Sequence, residues 1–316
     1  MKRYILVPLD GSTLSEAILP EAVALARATE SALILLQVVE PIYEPIFGAL
    51  GISEIAQEEQ LEQMREEQLA SIHHYLTNVA GQLQAEGLEV HTRVIEGNHP
   101  AEQIIWHAEH EPLPFLIAMT THGRSGVLRW LFGSVAAEVV QITPIPLLLF
   151  RPQGSGTSFS TGNPKAVPYQ SVVVPLDASP FAEQALDQAS ELAAALNATL
   201  RLVSIVAPPI DIPVFRKKET VLLVKALLQR EMERRVRYLE ERAEPLRKQG
   251  LVVQTQVATG HPAEEILRLS TQHQHTLLVM TTHGRGGLRR LFLGSVAMKV
   301  VQLAHVPVLL VRGRPE

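Results

Sequence analysis

The stretch YILVPLDGSTLSEAILPEAVALA, running from Tyr4, returns from Ser171 as SVVVPLDASPFAEQALDQASELA, and that recurrence decides the fold. Pro8 and Asp10 find their counterparts in Pro175 and Asp177, 167 positions on. Further along, HPAEQII from His99 matches HPAEEIL from His261. MTTHGRSGVLRWLFGSVAAEVVQ from Met119 matches MTTHGRGGLRRLFLGSVAMKVVQ from Met280, now 161 positions apart. The shortening shift puts the length difference in the middle of the repeat. A period this long exceeds the roughly 20–50 residues of solenoid repeats, so a whole domain is duplicated.

Between the copies lies PQGSGTSFSTGNPKAVPY, rich in Gly, Ser, Thr and Pro and without apolar periodicity. Such a segment buries too little to offset its ordering entropy and reads as a flexible tether over 152–169. The domains are then 1–151 and 170–316.

Within the first copy the pattern predicts strands over 5–8, 33–39, 89–95, 115–120 and 147–151. Helices are predicted over 15–29, 53–86, from Pro100 to about 109, and over 134–141. The second copy repeats the strands near 172–174, 200–206, 252–257, 277–280 and 308–311. Strands that are unbroken Val/Leu/Ile runs, alternating with helices, imply a parallel sheet covered on both faces. The expected fold is therefore α/β: two tandem open five-stranded parallel sheets of Rossmann-like type. In such sheets ligands sit beyond the carboxyl ends of the strands.

Composition narrows the function classes. A formal charge of −5 argues against nucleic acid or an anionic membrane as partner. The absence of cysteine excludes disulfides and thiolate metal sites and suits a reducing cytoplasm. No apolar run approaches the ~18 residues of a membrane span.

Two places at the strand ends can carry chemistry. Pro8-Leu9-Asp10 and Pro175-Leu176-Asp177 close the first strand of each copy. An aspartate there can accept hydrogen bonds from ribose hydroxyls or hold a metal; equally, it can cap the next helix. After the fourth strand, Thr120-Thr121-His122-Gly123-Arg124 is followed by Gly133-Ser134 at a helix start, and Thr281-Thr282-His283-Gly284-Arg285 by Gly294-Ser295. Glycines let backbone N–H groups approach an anion, and the helix start adds unpaired donors and a positive dipole end. The same residues also suit an ordinary turn and cap. His73-His74 and His107/His110 have metal-compatible spacing but no accompanying carboxylate pattern and read as surface residues. The run Arg230, Arg234, Arg235, Arg237 interleaves with Glu231, Glu233, Glu240 and Glu241 and reads as an ion-paired surface.

VPLDGS, LLQVVEP, HPAEQII and MTTHGRSG…GSV…PIPLLLF together resemble the universal stress protein family, twice over nearly the whole chain. The family's nucleotide loop, G-x2-G-x9-G-[ST], is matched by Gly123, Gly133 and Ser134 and by Gly284, Gly294 and Ser295. Thr120 and Thr281 stand where its first glycine would. The resemblance implies ATP as ligand, with Mg2+ as companion ion and ADP or AMP as alternatives. It implies ribose contacts at Asp10 and Asp177, and adenine held by the backbone at Val38 and Ile205. Met119 and Met280 would line the base pocket. Gly123, Gly133, Ser134 and Val135 would cradle the phosphates, as would Gly284, Gly294, Ser295 and Val296. It also implies an intrachain pseudo-dimer through Leu147–Phe150 and Val308–Val311. No phosphate-loop lysine, kinase loop or nucleophile elbow is present. The expected role is a nucleotide-responsive binding module of the cytoplasm, with a nucleotide-free scaffold or a slow ATPase as alternatives.

Overall fold

The computed structural model describes residues 2–41, 54–110, 112–121, 133–152, 167–208, 218–282 and 293–313. Its chain divides into two compact units, Met1–Thr143 and the body formed by Pro144–Gln153 with Ala166–Glu316.

In the first unit the order is β1 (Tyr4–Pro8), α1 (Thr13–Glu16), α2 (Leu19–Ala28), β2 (Ala32–Val39), α3 (Glu54–Ala85), β3 (Val90–Glu96), α4 (Pro100–Ala108), β4 (Leu116–Thr120) and α5 (Ser134–Ile142). Its strands lie in the order β3-β2-β1-β4, and the registered pairs are parallel, as in Ile5 against Leu33 and Leu116. Buried apolar runs on β1, β2 and β4 form the middle of the core: Ile5, Leu33, Leu35, Leu36, Leu116 and Ile117 are wholly shielded. Strands buried on both faces need helices on both, which explains their continuous Val/Leu/Ile composition.

The second unit contains β5 (Leu147–Phe150), β6 (Ser171–Pro175), α6 (Pro180–Glu183), α7 (Ala185–Leu196), β7 (Thr199–Val206), α8 (Lys218–Lys248), β8 (Val253–Thr259), α9 (Pro262–Ser270), β9 (Thr276–Thr281), α10 (Ser295–Leu303) and β10 (Val308–Val311). Strand order is β5-β10-β9-β6-β7-β8. Here β5 runs antiparallel to β10, pairing Leu149 with Val308 and Leu147 with Leu310, while the other registered pairs are parallel.

The α/β fold with a mostly parallel sheet is as expected, with five strands from each copy, β1–β5 and β6–β10; β5, which closes the first copy, falls with β10 in the second compact unit. The single helix expected over 15–29 is two, α1 and α2. Pro20 sits at the start of α2, yet the same break recurs between α6 and α7, where Asp187 stands in its place. Proline is therefore not its common cause. Of the expected tether, 153–166 lie outside the described residues; its end is ordered, with the Tyr169 side chain buried and the Gln170 N–H bonded to the His275 carbonyl.

Candidate functional site

A cavity of about 260 Å3 opens beyond the carboxyl ends of β1, β2 and β4 in the first unit. That lies just below the ~300–1,000 Å3 usual for small-molecule sites. Its floor and walls are made by Pro8 at the end of β1 with Leu9 and Asp10 just beyond it, Val38 from β2, Met119 and Thr120 from β4, and Gly133, Ser134 and Val135 at the start of α5. These are nine of the eleven residues singled out in this copy. The other two, Gly123 and Arg124, lie outside the described residues, as do Gly284 and Arg285 of the second copy, together with His122 and His283.

Five lining residues were not anticipated: Ser15, Leu36, Pro100, Ile104 and Ala136. The signal for three of them was present. Leu36 shares the face of β2 with Val38, two residues on. Pro100 and Ile104 lie in the repeated HPAEQII stretch, whose proline starts α4 and whose apolar stripe turns to the sheet.

The phosphate-cup expectation needs one correction. The Gly133 N–H is not available to a ligand: it donates to the Thr121 carbonyl at 2.8 Å, and Gly294 does the same to Thr282. Both glycines have ordinary extended dihedrals, so neither is required for backbone strain. The donors are the next residues. In α5 the first helical bond runs from the Ala137 N–H to the Gly133 carbonyl, which leaves the N–H groups of Ser134, Val135 and Ala136 without an intrahelical partner. No side chain among the described residues caps them. The arrangement repeats in α10, whose first bond joins Met298 to Gly294. Three amides without a partner among the described residues, at the positive end of the helix dipole, make an anion-compatible rim.

Asp10 is not a helix cap, contrary to one of its two readings. The cap is Ser12, whose Oγ accepts from the Ser15 N–H at 3.1 Å. Asp10 Oδ1 in turn accepts from the Ser12 N–H at 2.9 Å and its hydroxyl at 2.6 Å. In the second unit Ser179 caps α6, and Asp177 Oδ1 accepts from its N–H and hydroxyl at 3.0 and 2.5 Å. Each carboxylate is thus oriented by the turn that follows it and stays half-buried at the strand end.

The second copy's remaining candidates occupy the same elements. Pro175 ends β6 and Leu176 follows it, Ile205 lies on β7 and Met280 and Thr281 end β9. Ser295 and Val296 open α10.

Among the described residues the histidines do not gather. His107 donates from Nδ1 to the Gln103 carbonyl, and His110 stacks on Trp106 with ring centroids 4.0 Å apart. Burial pushes His107 below the usual imidazole range, its bond to Gln103 opposing. Among the described residues no group of three or more His, Asp or Glu side chains is placed to hold a metal, and no helix is long and apolar enough to cross a membrane. The arginine-rich run of α8 is ion-paired, as in Arg234–Glu231 at 2.8 Å, but Arg235 departs from expectation by being buried, at 5% exposure.

The sequence pattern described as "Universal stress protein family" matches residues 1–151 and again 168–312. A universal stress protein of Methanocaldococcus jannaschii is 32% identical over 146 residues, covering 46% of this chain and 82% of that protein. One of Mycobacterium bovis is 27% identical over 323 residues, covering 98% of this chain and 94% of its own. Among solved structures, a universal stress protein of Archaeoglobus fulgidus superposes with a TM-score of 0.60 at 20% identity, over 98% of this chain and 96% of the other.

Proposed function

The chain belongs to the universal stress protein family, and from that premise we propose that it is a tandem binding module for adenine nucleotide, ATP first, whose bound form stabilises its own unit. One observation carries this reading: a mainly apolar cavity lined both by Asp10 and by the residues whose N–H groups open α5 without an intrahelical partner. The apolar side, with Val38, Ile104 and Met119, suits a base; the carboxylate suits a ribose; the amides suit a phosphate. Mg2+, if it accompanies the nucleotide, would be held by phosphate oxygens and Asp10 or Asp177. The second copy offers the same set in Asp177, Ile205, Met280 and the start of α10.

Thr120 fits the site although the family's loop has glycine there, because its side chain is 5% exposed and lies in the cavity wall. Charge-assisted hydrogen bonds contribute ~1.5–3 kcal/mol each. A few from the helix start would support about micromolar affinity, near −8 kcal/mol. A slow ATPase uses the same groups, and a phosphate-release assay at catalytic protein concentration separates it from simple binding.

The competing reading, a nucleotide-free scaffold, draws on the engaged Gly133 and Gly294 amides. Thermal shift decides between them. Binding to the folded chain raises the melting temperature progressively with ATP concentration, and mass spectrometry of ligand released from the purified protein identifies what it carries. Gly133→Val places a branched side chain in the cavity wall without straining the backbone. It is expected to abolish binding in the first copy while the second still titrates. Unchanged stoichiometry would refute the site.

A further inference from the structure

The turn carrying the site aspartate is built twice in this chain and held in two different ways. In the first unit Asp10 is followed by Gly11 at φ 79°; in the second, Asp177 is followed by Ala178 at φ 62°. The left-handed region costs an alanine what it does not cost a glycine, because the Cβ crowds the carbonyl. Such strain persists where surrounding contacts over-determine the backbone. The second unit supplies those contacts from α8, on one side directly and on the other through Ser204 of β7.

Two anchors reach from α8 to either side of Ala178. Arg235, buried, bonds Glu231 Oε1 at 2.9 Å through Nε and Ser204 Oγ at 3.3 Å through Nη1. Ser204 in turn donates to the carbonyl of Leu176, the residue before Asp177, at 2.7 Å. About one turn of helix onward the Tyr238 hydroxyl donates to Glu183 Oε1 at 2.9 Å, and about two turns onward Arg242 Nε donates to the same oxygen at 3.0 Å. Glu183 ends α6, the helix that Ser179 caps. Burial first, then the Glu183 carboxylate, pushes the Tyr238 phenol well above its ordinary range, so it remains a donor.

The first unit keeps Tyr75 and Glu16 at the places of Tyr238 and Glu183. Ile72 and Val79 stand where the two arginines do, and Gln37 stands at Ser204's place on β2. Gln37 is buried, and its Oε1 has no hydrogen-bond partner among the described residues.

We propose that α8 is a clamp on the Leu176–Ser179 turn, that Arg235 and Arg242 are positioning residues for the second nucleotide site alone, and that this site is preorganised where the first relies on glycine. The inference rests on the nucleotide reading only for its effect on affinity. The clamp itself is a property of the free chain.

Amide hydrogen exchange on the full, ligand-free chain tests it, with the matching turn of the first unit as internal control. Exchange across 177–183 is expected to be slower than across 10–16. Arg242→Gln and Tyr238→Phe, both mild enough to fold, should accelerate exchange in 177–183 only. Arg242→Lys should restore protection, and Ala178→Gly should blunt the effect of Arg242→Gln by removing the strain. Arg235→Met should act in the same direction. Equal protection of the two turns, or acceleration spread over the whole second unit, overturns the clamp.

Titration with ATP in a Gly133→Val background then reads the consequence. Arg242→Gln is expected to weaken the second site about fivefold, since a turn no longer ordered in the free chain must be ordered on binding, at a cost in entropy; unchanged affinity removes the positioning role. If ATP binds no form of the chain, the nucleotide reading falls, while exchange still decides the clamp.

Discussion

The two copies agree where a ligand would touch and differ in what stands behind. Ser12 and Ser179 cap the same short helix and are held by the same aspartate oxygen. Gly133 and Gly294 bond the same carbonyl at the same 2.8 Å. Behind these, the second unit places a buried arginine where the first has Ile72, packs Phe181 where the first has Leu14, and closes Lys299 on Glu264 where the first has two glutamates. The backbone constellation at strand ends is thus compatible with more than one supporting shell, and support is where duplicated domains are free to specialise.

The largest effect expected from breaking this comparison concerns Phe181. Gly313 follows β10 and is buried against that ring; a Cβ added to Gly313 would run into it. Gly313→Ala should therefore overpack the second unit and cost about 1–3 kcal/mol, measured by denaturant unfolding. Phe181→Leu, which installs the first unit's residue, shortens the obstacle, and the double variant should recover much of the loss. An alanine at 313 that leaves stability unchanged would mean that the ring swings away freely.

Most of the fold was legible because its signals are local. Unbroken apolar runs mark the central strands, prolines mark the starts of α4 and α9, and the repeat turns each reading into two. The glycine-serine helix starts were legible for the same reason. What stayed hidden depends on partners distant in sequence. Nothing near Gly133 reveals that its amide is spent on Thr121. Arg235 sits in a run of charges that looks solvated, although its spacing from Leu239 and Ala243, both buried, places it on the inward face of α8. The left-handed Ala178 is invisible in its own sequence and becomes legible only by alignment with Gly11.

A smaller effect tests what the copies share. Ser12→Ala and Ser179→Ala each remove a cap and the partner of a site carboxylate, at a typical cost of about 1 kcal/mol. Because the bonds match within a few tenths of an ångström, the two losses should be alike. A markedly smaller loss for Ser179→Ala would show that the α8 anchors can hold the turn without its cap, and would sharpen the contrast between the copies.

The smallest effect lies on the surface between the last two helices of each copy. In the second unit Lys299 Nζ meets Glu264 Oε1 at 2.9 Å, and the hydrogen bond, with the lysine's charge, holds the carboxyl below its ordinary range. The matching positions in the first unit are Glu102 on α4 and Glu138 on α5, both exposed, so two like charges face the same helix pair. Glu138→Lys should convert repulsion into attraction and raise the melting temperature slightly, by less than either loss above, because exposed pairs are screened and cost side-chain entropy. The gain should fade as salt approaches ~1 M, where the screening length falls to about 3 Å. A gain that survives high salt would have to come from packing of the lysine stem, and the difference between the copies at this place would then be one of shape and not of charge.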